Sequence, residues 1–127
     1  MMAVDTSALM AVVLEEKSGA GCRSALENAP QLLISAATVA EALIVARGRG
    51  VQDKMERLID QLPFEIENVT AASARRVGEA YRQWGKGMHK AGLNFGDCFA
   101  YALAKERSCK LLFVGADFSK TDIDSVL

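Results

Sequence analysis

Histidine is almost absent from this sequence, and cysteine and proline are scarce: one histidine, three cysteines and two prolines occur among 127 residues. A single histidine rules out a paired-histidine acid–base mechanism, and neither a Ser-His-Asp nor a Cys-His catalytic set can be assembled. The odd cysteine count, with no C-x-x-C pair, excludes a disulfide framework and a zinc site. We therefore expect the cysteines to be small core residues in a reducing cytoplasm.

Long apolar runs and a charge excess of one sign are also missing. The longest mostly apolar stretch, Leu32 to Ala46, is too short to span a bilayer and contains Glu41. Asp5 occurs early and no basic segment precedes it, so no signal peptide is expected. A net charge of −1 argues against a generally cationic nucleic-acid-binding protein but leaves room for a local basic face. We expect one domain over residues 1–127, cytoplasmic and without membrane association.

Short apolar runs alternate with segments of helical periodicity along the chain. Four segments have the pattern of strands, and segments with a helical pattern separate them. The four segments are Ala3-Val4, Leu32-Leu33-Ile34, Phe64 to Glu67 and Leu111 to Val114. Strands separated by helices predict βαβ units with right-handed crossovers, hence an α/β fold with a parallel sheet. The run from Leu111 to Val114 is typical of a strand covered on both faces.

Four acids stand out because they follow strands or interrupt apolar helical segments. Asp5 ends the first strand and Asp117 follows the last, while Glu41 and Asp97 have apolar neighbours. Ligands of a parallel sheet bind beyond the carboxyl ends of its strands, where these acids would meet. Carboxylates about 4 Å apart repel by roughly 4 kcal/mol at an effective dielectric constant near 20, so the cluster would hold protons or a cation. Oxygen ligands favour Mg²⁺ or Mn²⁺, which suits metal-assisted hydrolysis.

Each acid also has a purely structural interpretation. Asp5 and Asp117 are equally acceptable as helix N-caps or Asx-turn residues. Ser35 and Thr38 are both candidate N-caps of the helix that contains Glu41. Thr38-x-x-Glu41 fits a capping box, in which Glu41 would bond back to the amide of the capping residue. Asp97, near the start of a helix, would interact favourably with the helix dipole. The shared placement of the four acids favours a common site over four separate caps.

Four segments of the chain resemble the motifs of the PIN-domain ribonucleases, and the VapC toxins of bacterial type II toxin–antitoxin systems in particular. They are Ala3 to Ala8, Ala37 to Ala42, Leu93 to Ala104 and Gly115 to Ile123, and the resemblance covers essentially the whole chain in order. It implies a three-layer α/β/α sandwich with a central parallel sheet.

The resemblance also implies a site and an activity. The acidic site of the family corresponds to Asp5, Glu41, Asp97 and Asp117 as catalytic and metal-binding residues, with Thr6 or Ser7 supporting the first aspartate and Asn94 beside the third acid. The implied activity is Mg²⁺-dependent endonucleolytic cleavage of RNA, leaving a 5′-phosphate and a 3′-hydroxyl. A VapB-like antitoxin and a homodimer are implied as partners, and the role of Asp122 stays open.

Positive charge is concentrated between residues 75 and 90. Five basic residues occur there against the single acid Glu79: Arg75, Arg76, Arg82, Lys86 and Lys90. The alternative interpretation is that Arg75 and Arg82 pair with Glu79 along a helix. We expect Lys86, His89 and Lys90, in a glycine-rich loop before Asp97, to contact RNA phosphates. Helical spacing predicts a core stripe of Ala74, Val77, Tyr81 and Trp84, in which Tyr81 and Trp84 are assigned to the core or to a dimer contact.

Two other function classes compete with a nuclease. A non-catalytic Mg²⁺-binding module of the receiver type would also use acids at a sheet edge, but no lysine follows a late strand in the relation that such a module needs. A phosphatase of the haloacid dehalogenase type needs Asp-x-Asp after the first strand, and the residue two after Asp5 is Ser7.

Overall fold

The computed structural model describes all 127 residues, which form four strands and six α-helices. In chain order the elements are β1 (Met2–Val4), α1 (Thr6–Val13), α2 (Gly19–Asn28), β2 (Leu32–Ser35), α3 (Ala36–Gly48), α4 (Gln52–Gln61), β3 (Phe64–Glu67), α5 (Ala71–Trp84), α6 (Phe95–Glu106) and β4 (Lys110–Leu112). A short 3₁₀ turn, Phe118–Lys120, follows β4. No helix has the length and apolar character that a membrane span requires.

All four strands pair in parallel, in the order β3-β2-β1-β4. This arrangement confirms the parallel sheet predicted from the alternation of strands and helices. The first and last strands are neighbours, with Val4 paired to Leu112. The chain segments that leave β1 and β4 therefore start side by side, at the edge where Asp5 and Asp117 were expected to meet.

Two apolar clusters cover the two faces of the sheet, because successive side chains of a strand point to opposite sides. Val4 and Leu112 belong to the cluster formed with α1 to α4. Ala3 and Leu111 belong to the other cluster, formed with α5 and α6. The result is the expected three-layer α/β/α sandwich.

The start of α3 differs from one of the sequence interpretations. Ser35 is the N-cap of this helix and accepts a hydrogen bond from the amide of Ala37. Thr38 therefore lies inside the helix, and the proposed capping box between Thr38 and Glu41 is wrong. The helix begins earlier because Ser35, the last residue of β2, keeps an extended conformation and a free hydroxyl. Glu41 is consequently free of any capping role.

Helix α5 packs on α6 through a stripe shifted from the predicted one. Val77 and Ala80 are buried, whereas Ala74, expected in the core, is exposed. Trp84 at the end of the helix is half-buried and donates its indole N–H to the hydroxyl of Tyr101 at 2.8 Å. Trp84 thus connects the two helices within one chain, as a core contact.

Candidate active site

Asp5 is the most deeply buried acid of the chain. It follows β1 directly and is 3% exposed. Its Oδ2 accepts hydrogen bonds from the amide of Ser7 at 3.0 Å and from the Ser7 hydroxyl at 2.6 Å. Its Oδ1 is buried and has no hydrogen-bond partner. Burial, together with the charges of Asp97 and Glu41, raises the pKa of Asp5 to about 6.

Asp5 is therefore a helix cap, but capping does not account for both of its carboxylate oxygens. The bond from the Ser7 amide makes it the N-cap of α1, as the structural interpretation held. Capping uses only one of its carboxylate oxygens, however. A buried carboxylate oxygen without a partner is costly, so Oδ1 is available for a cation or a proton.

Ser7 supports Asp5 and also ties it to the far end of the chain. Its hydroxyl donates to Asp5 and accepts a hydrogen bond from the amide of Val114 at 3.0 Å. Val114 lies just beyond β4, on the segment that leads to Asp117. One hydroxyl therefore links the first acid of the site to the segment that carries the fourth.

Thr6 supports a different acid. Its hydroxyl donates to Oε1 of Glu41 at 2.6 Å, and Thr6 itself is 7% exposed. The resemblance left open whether Thr6 or Ser7 supports the first aspartate; in the structure Ser7 bonds Asp5 and Thr6 bonds Glu41. The two hydroxyls that follow Asp5 thus hold two separate carboxylates in place.

Asp97 lies in the first turn of α6, in a reciprocal capping box with Asn94. The amide of Asp97 donates to Asn94 Oδ1 at 2.8 Å, and the amide of Asn94 donates to Asp97 Oδ2 at 3.0 Å. Asn94 thereby orients the third acid, beside which the resemblance placed it. Burial and the charges of Glu41 and Asp117 raise the pKa of Asp97. Its Oδ1 takes no part in the box.

Asp117 is the exposed member of the set. It precedes the 3₁₀ turn, and its side chain makes no capping hydrogen bond. The N-cap interpretation therefore does not describe its side chain. Its charge acts on Asp97 across the site, which places the beginning of the fourth motif close to the start of α6.

The structure thus brings the four predicted acids into electrostatic contact at the carboxyl edge of the sheet. The charges of Asp97 and Glu41 contribute to the raised pKa of Asp5, and the charges of Glu41 and Asp117 contribute to the raised pKa of Asp97. No three acidic, histidine or cysteine side chains of the chain are arranged to hold one ion together. The arrangement therefore does not show direct coordination by all four acids. It does fit Mg²⁺ or Mn²⁺, because such ions accept one or two carboxylates and keep several waters.

Asp122 lies outside this set. Its carboxylate accepts hydrogen bonds from the hydroxyl of Tyr101 at 2.5 Å and from Lys105 Nζ at 3.1 Å. Tyr101 and Lys105 are one and two turns further along α6 than Asp97. Asp122 therefore attaches the C-terminal segment to α6, and its later place in the fourth motif does not bring it to the acids.

The basic loop before α6 is more ordered than its glycines suggest. Lys86 and Lys90 are exposed, and neither forms an ion pair. His89 is half-buried: its Nδ1 accepts the amide of Ala91 at 2.9 Å, and its ring packs edge-on against Trp84. His89 thus shapes the loop that presents the two lysines.

Of the three arginines between residues 75 and 90, two make ion pairs. Arg82 pairs with Glu79 on α5, as the alternative interpretation held for it. Arg76 instead bridges to Glu106 of α6 at 2.9 Å. Arg75 forms no pair with Glu79. Lys86 and Lys90 are therefore basic residues of this loop whose charges no carboxylate of the chain neutralises.

Comparison with known proteins agrees with the fold and the site. The sequence profile of the PIN domain matches residues 2–124. The chain is 41% identical over 130 residues to ribonuclease VapC28 of Mycobacterium tuberculosis, covering 99% of this chain and 98% of that protein. Over residues spanning 96% of both proteins it is 39% identical to ribonuclease VapC42 of the same species.

Among solved structures, that of Mycobacterium tuberculosis VapC20, described as a Sarcin-Ricin loop cleaving toxin, superposes with a TM-score of 0.80. It shares 16% sequence identity and covers 99% of this chain and 98% of its own. A toxin–antitoxin complex from Klebsiella pneumoniae gives a TM-score of 0.69 at 19% identity, with 96% and 93% covered. Both support the fold.

The match to the PIN profile and the identity to VapC ribonucleases extend over nearly the full chain, and the receiver and phosphatase alternatives have no comparable support. With the acids of its four motifs gathered at one sheet edge, this chain belongs to the PIN-domain family, as a member of the VapC ribonucleases.

Proposed function

We propose that this chain is a toxin that hydrolyses RNA internally with the aid of Mg²⁺ or Mn²⁺, and that a cognate VapB-like antitoxin neutralises it. The single observation that carries the metal dependence is Asp5: a carboxylate 3% exposed, with a buried Oδ1 that no protein group satisfies. An all-oxygen site of this kind selects a hard cation. The family match supports the nuclease activity.

The acids of the site would have different roles in holding the cation. Asp5 would hold the cation directly through Oδ1, and Asp97 through the oxygen outside its capping box, while Glu41 and Asp117 would hold waters around it. A bound Mg²⁺ or Mn²⁺ would supply Lewis-acid chemistry, lowering the pKa of a coordinated water and offsetting charge on the leaving oxygen. Ser7, Thr6 and Asn94 keep the acids in place, which avoids reorganisation during the reaction.

The reaction is the addition of water across one phosphodiester bond. The water oxygen forms the new bond to phosphorus and loses a proton, and the bond between phosphorus and the 3′-oxygen breaks. The 3′-oxygen takes up a proton, so the products are a 3′-hydroxyl and a 5′-phosphate. The acids are the only bases at the site, because the lone histidine, His89, is committed to the loop through its Nδ1.

Lys86 and Lys90 would guide the RNA backbone to the acids. They are exposed, unpaired and seven or more residues before Asp97 on the segment that leads into α6. Their positive charges would neutralise RNA phosphates, which the acids of the site would otherwise repel. His89 contributes indirectly by shaping the loop.

An antitoxin partner and a cytoplasmic location are part of the same proposal. The likeness to a toxin–antitoxin complex supports an antitoxin that covers the acidic edge, and such a segment would place a cation among the carboxylates. A homodimer is proposed on the family resemblance. Three cysteines without disulfide bonds suit the cytoplasm, where RNA is available.

The decisive experiment incubates the purified chain with a panel of structured and unstructured RNAs, with Mg²⁺, with Mn²⁺ and with excess EDTA, next to Asp97→Asn. Asp97→Asn keeps the capping box, because asparagine also offers an oxygen to Asn94, so it removes charge with little effect on the fold. We expect cleavage only by the unmodified chain and only with a divalent cation.

End-group analysis of the products checks the chemistry, since 5′-phosphates accept ligation directly. Cleavage in EDTA, or equal cleavage by Asp97→Asn, would show that the proposed site is wrong. Co-purification with the product of an adjacent small gene and loss of cleavage in that complex would test the antitoxin. Cleavage that persists unchanged in the complex would contradict neutralisation.

A further inference from the structure

The geometry points to a clamp on Glu41, formed by the hydroxyl of Thr6 on one side and by the missing side chain of Gly96 on the other. We infer that Thr6 and Gly96 are positioning residues for cleavage, and that Gly96 is a glycine because of Glu41 alone. This inference rests on the proposed function of the acidic site. It adds Gly96 to the residues of that site and specifies that Thr6 acts on Glu41 together with it.

The first side of the clamp is a short, partly buried hydrogen bond. Thr6 Oγ1 donates to Glu41 Oε1 at 2.6 Å, across 35 residues of sequence. A hydroxyl bonded to a carboxylate is among the stronger hydrogen bonds in proteins. Because Thr6 directly follows Asp5, this bond fixes the second acid relative to the first.

The second side of the clamp is the space that Gly96 leaves because it has no side chain. A Cβ built on Gly96 would lie 1.9 Å from Glu41 Oε2, 2.6 Å from its Cδ and 2.9 Å from Oε1. The carboxylate of Glu41 therefore lies against the backbone of α6, one residue before Asp97. Any side chain at position 96 would displace it.

Nothing else in the structure requires a glycine at this position. Gly96 is helical and is not among the glycines with positive φ, so its backbone suits any residue. Glycine in a helix is unfavourable relative to alanine. The three atoms nearest to the built Cβ all belong to the Glu41 carboxyl group, and none is backbone. The nearest obstacle to a side chain at position 96 is therefore the Glu41 carboxyl group and not the backbone of a packed helix.

This contact pattern predicts that activity and stability separate. The Glu41 carboxyl is the free end of a flexible side chain, so it can rotate away from an alanine at little cost to the fold. It would then lose its bond to Thr6 and its place beside Asp97. We expect Gly96→Ala to melt at the same or a slightly higher temperature, while kcat for RNA cleavage falls about a hundredfold, as for displacements near 1 Å in other active sites.

The matched control is Gly78→Ala. Gly78 is also a helical glycine, in α5, but a Cβ there meets nothing within 4 Å. This variant should keep the cleavage rate of the unmodified chain. For the other side of the clamp, Thr6→Val removes the hydroxyl at constant shape and should lower kcat by about tenfold to a hundredfold, whereas Thr6→Ser should restore most of the rate.

A double-mutant cycle distinguishes positioning from a general structural effect. In a Glu41→Ala background, where no carboxylate remains to be displaced, Gly96→Ala should cause no further loss of activity. A crystal structure of Gly96→Ala supplies a readout independent of metal and RNA. It should show the Glu41 carboxyl rotated, with Thr6 Oγ1 and Oε1 beyond hydrogen-bond distance.

Three results would overturn the clamp. One is cleavage by Gly96→Ala at the unmodified rate while Asp97→Asn is inactive, which would leave the proposed function standing. Another is a large drop in melting temperature for Gly96→Ala but not for Gly78→Ala, which would assign the glycine to packing. Full activity of Asp97→Asn would remove the proposed function itself and the clamp with it.

Discussion

The hydroxyl of Tyr101 donates a hydrogen bond to Asp122 at 2.5 Å and accepts one from the indole of Trp84. Lys105 adds a charged contact to the same carboxylate. Partial burial works to raise the pKa of Asp122, but the bonds from Tyr101 and Lys105 outweigh it and hold the pKa below its usual range. These contacts join α5, α6 and the C-terminal segment, and none of them involves the four acids of the candidate site.

Replacing Asp122 by alanine should therefore affect stability and not chemistry. We expect the free energy of unfolding to fall by about 1 kcal/mol, because the hydroxyl of a buried tyrosine loses its acceptor. The rate of RNA cleavage should stay unchanged. Asp124→Ala is the matched control, since the Asp124 side chain has no hydrogen bond or ion pair. A loss of cleavage without a loss of stability would place Asp122 in the site.

Asp5→Asn should stabilise the protein when metal is absent. Asparagine preserves the cap of α1 because its oxygen still accepts the amide of Ser7. It also removes a buried charge that Asp97 and Glu41 repel. In EDTA at pH 7.5 we expect the free energy of unfolding to rise by about 1 to 3 kcal/mol, measured by denaturant titration.

Divalent cations should reverse this order. Mn²⁺ or Mg²⁺ should raise the melting temperature of the unmodified chain and have little effect on Asp5→Asn, because ligand binding stabilises only the protein that binds it. Destabilisation of metal-free Asp5→Asn by several degrees would instead mean that the carboxylate is a structural cap and nothing more.

The stability of the metal-free protein should depend on pH through Asp5. Its pKa is about 6 in the fold against an ordinary value of 3.8, so the folded state holds the proton more tightly. The stabilisation from protonated Asp5 is complete below pH 3.8 and is lost as the pH rises through about 6. The difference in unfolding free energy between Asp5→Asn and the unmodified chain should grow over this range, by about 3 kcal/mol at most. A flat difference would contradict the raised pKa.

Charge reversal at Lys86 and Lys90 should weaken RNA binding and leave the chemistry intact. In the double variant Lys86→Glu and Lys90→Glu we expect a higher KM, a nearly unchanged kcat and a salt dependence of binding reduced by about one per lysine. Lys110→Glu serves as the control, because Lys110 is exposed at the amino end of β4, opposite the acids. An equal loss for the control would assign the effect to net charge.

Much of the fold could be predicted from local pattern. The apolar runs at Leu32 and Leu111 predicted strands, and β2 and β4 occur there. The first and last strands are neighbours, with Val4 paired to Leu112, which is the condition for Asp5 and Asp117 to share one edge of the sheet. Errors arose where two local signals competed: Ser35 and Thr38 were both candidate caps, and the strand-ending position of Ser35 decided between them.

The sequence was sufficient to identify the acids of the candidate site, but not the contacts between its residues. The four acids could be selected because each stands next to a strand or inside an apolar run. The role of Gly96 left no signal, since a glycine before a capping-box aspartate looks ordinary. A contact between its backbone and the Glu41 carboxyl depends on how α3 and α6 meet.

The sequence by itself thus determined which elements form, in which order, and which carboxylates reach the edge of the sheet, because periodicity and neighbouring residues control these features. Only the tertiary structure decided which hydroxyl serves which acid. Thr6 and Ser7 are adjacent, yet one bonds Glu41 and the other connects Asp5 to Val114, 107 residues away from Ser7. Such contacts are set by the packing of α1 between distant segments, and no local pattern records that packing.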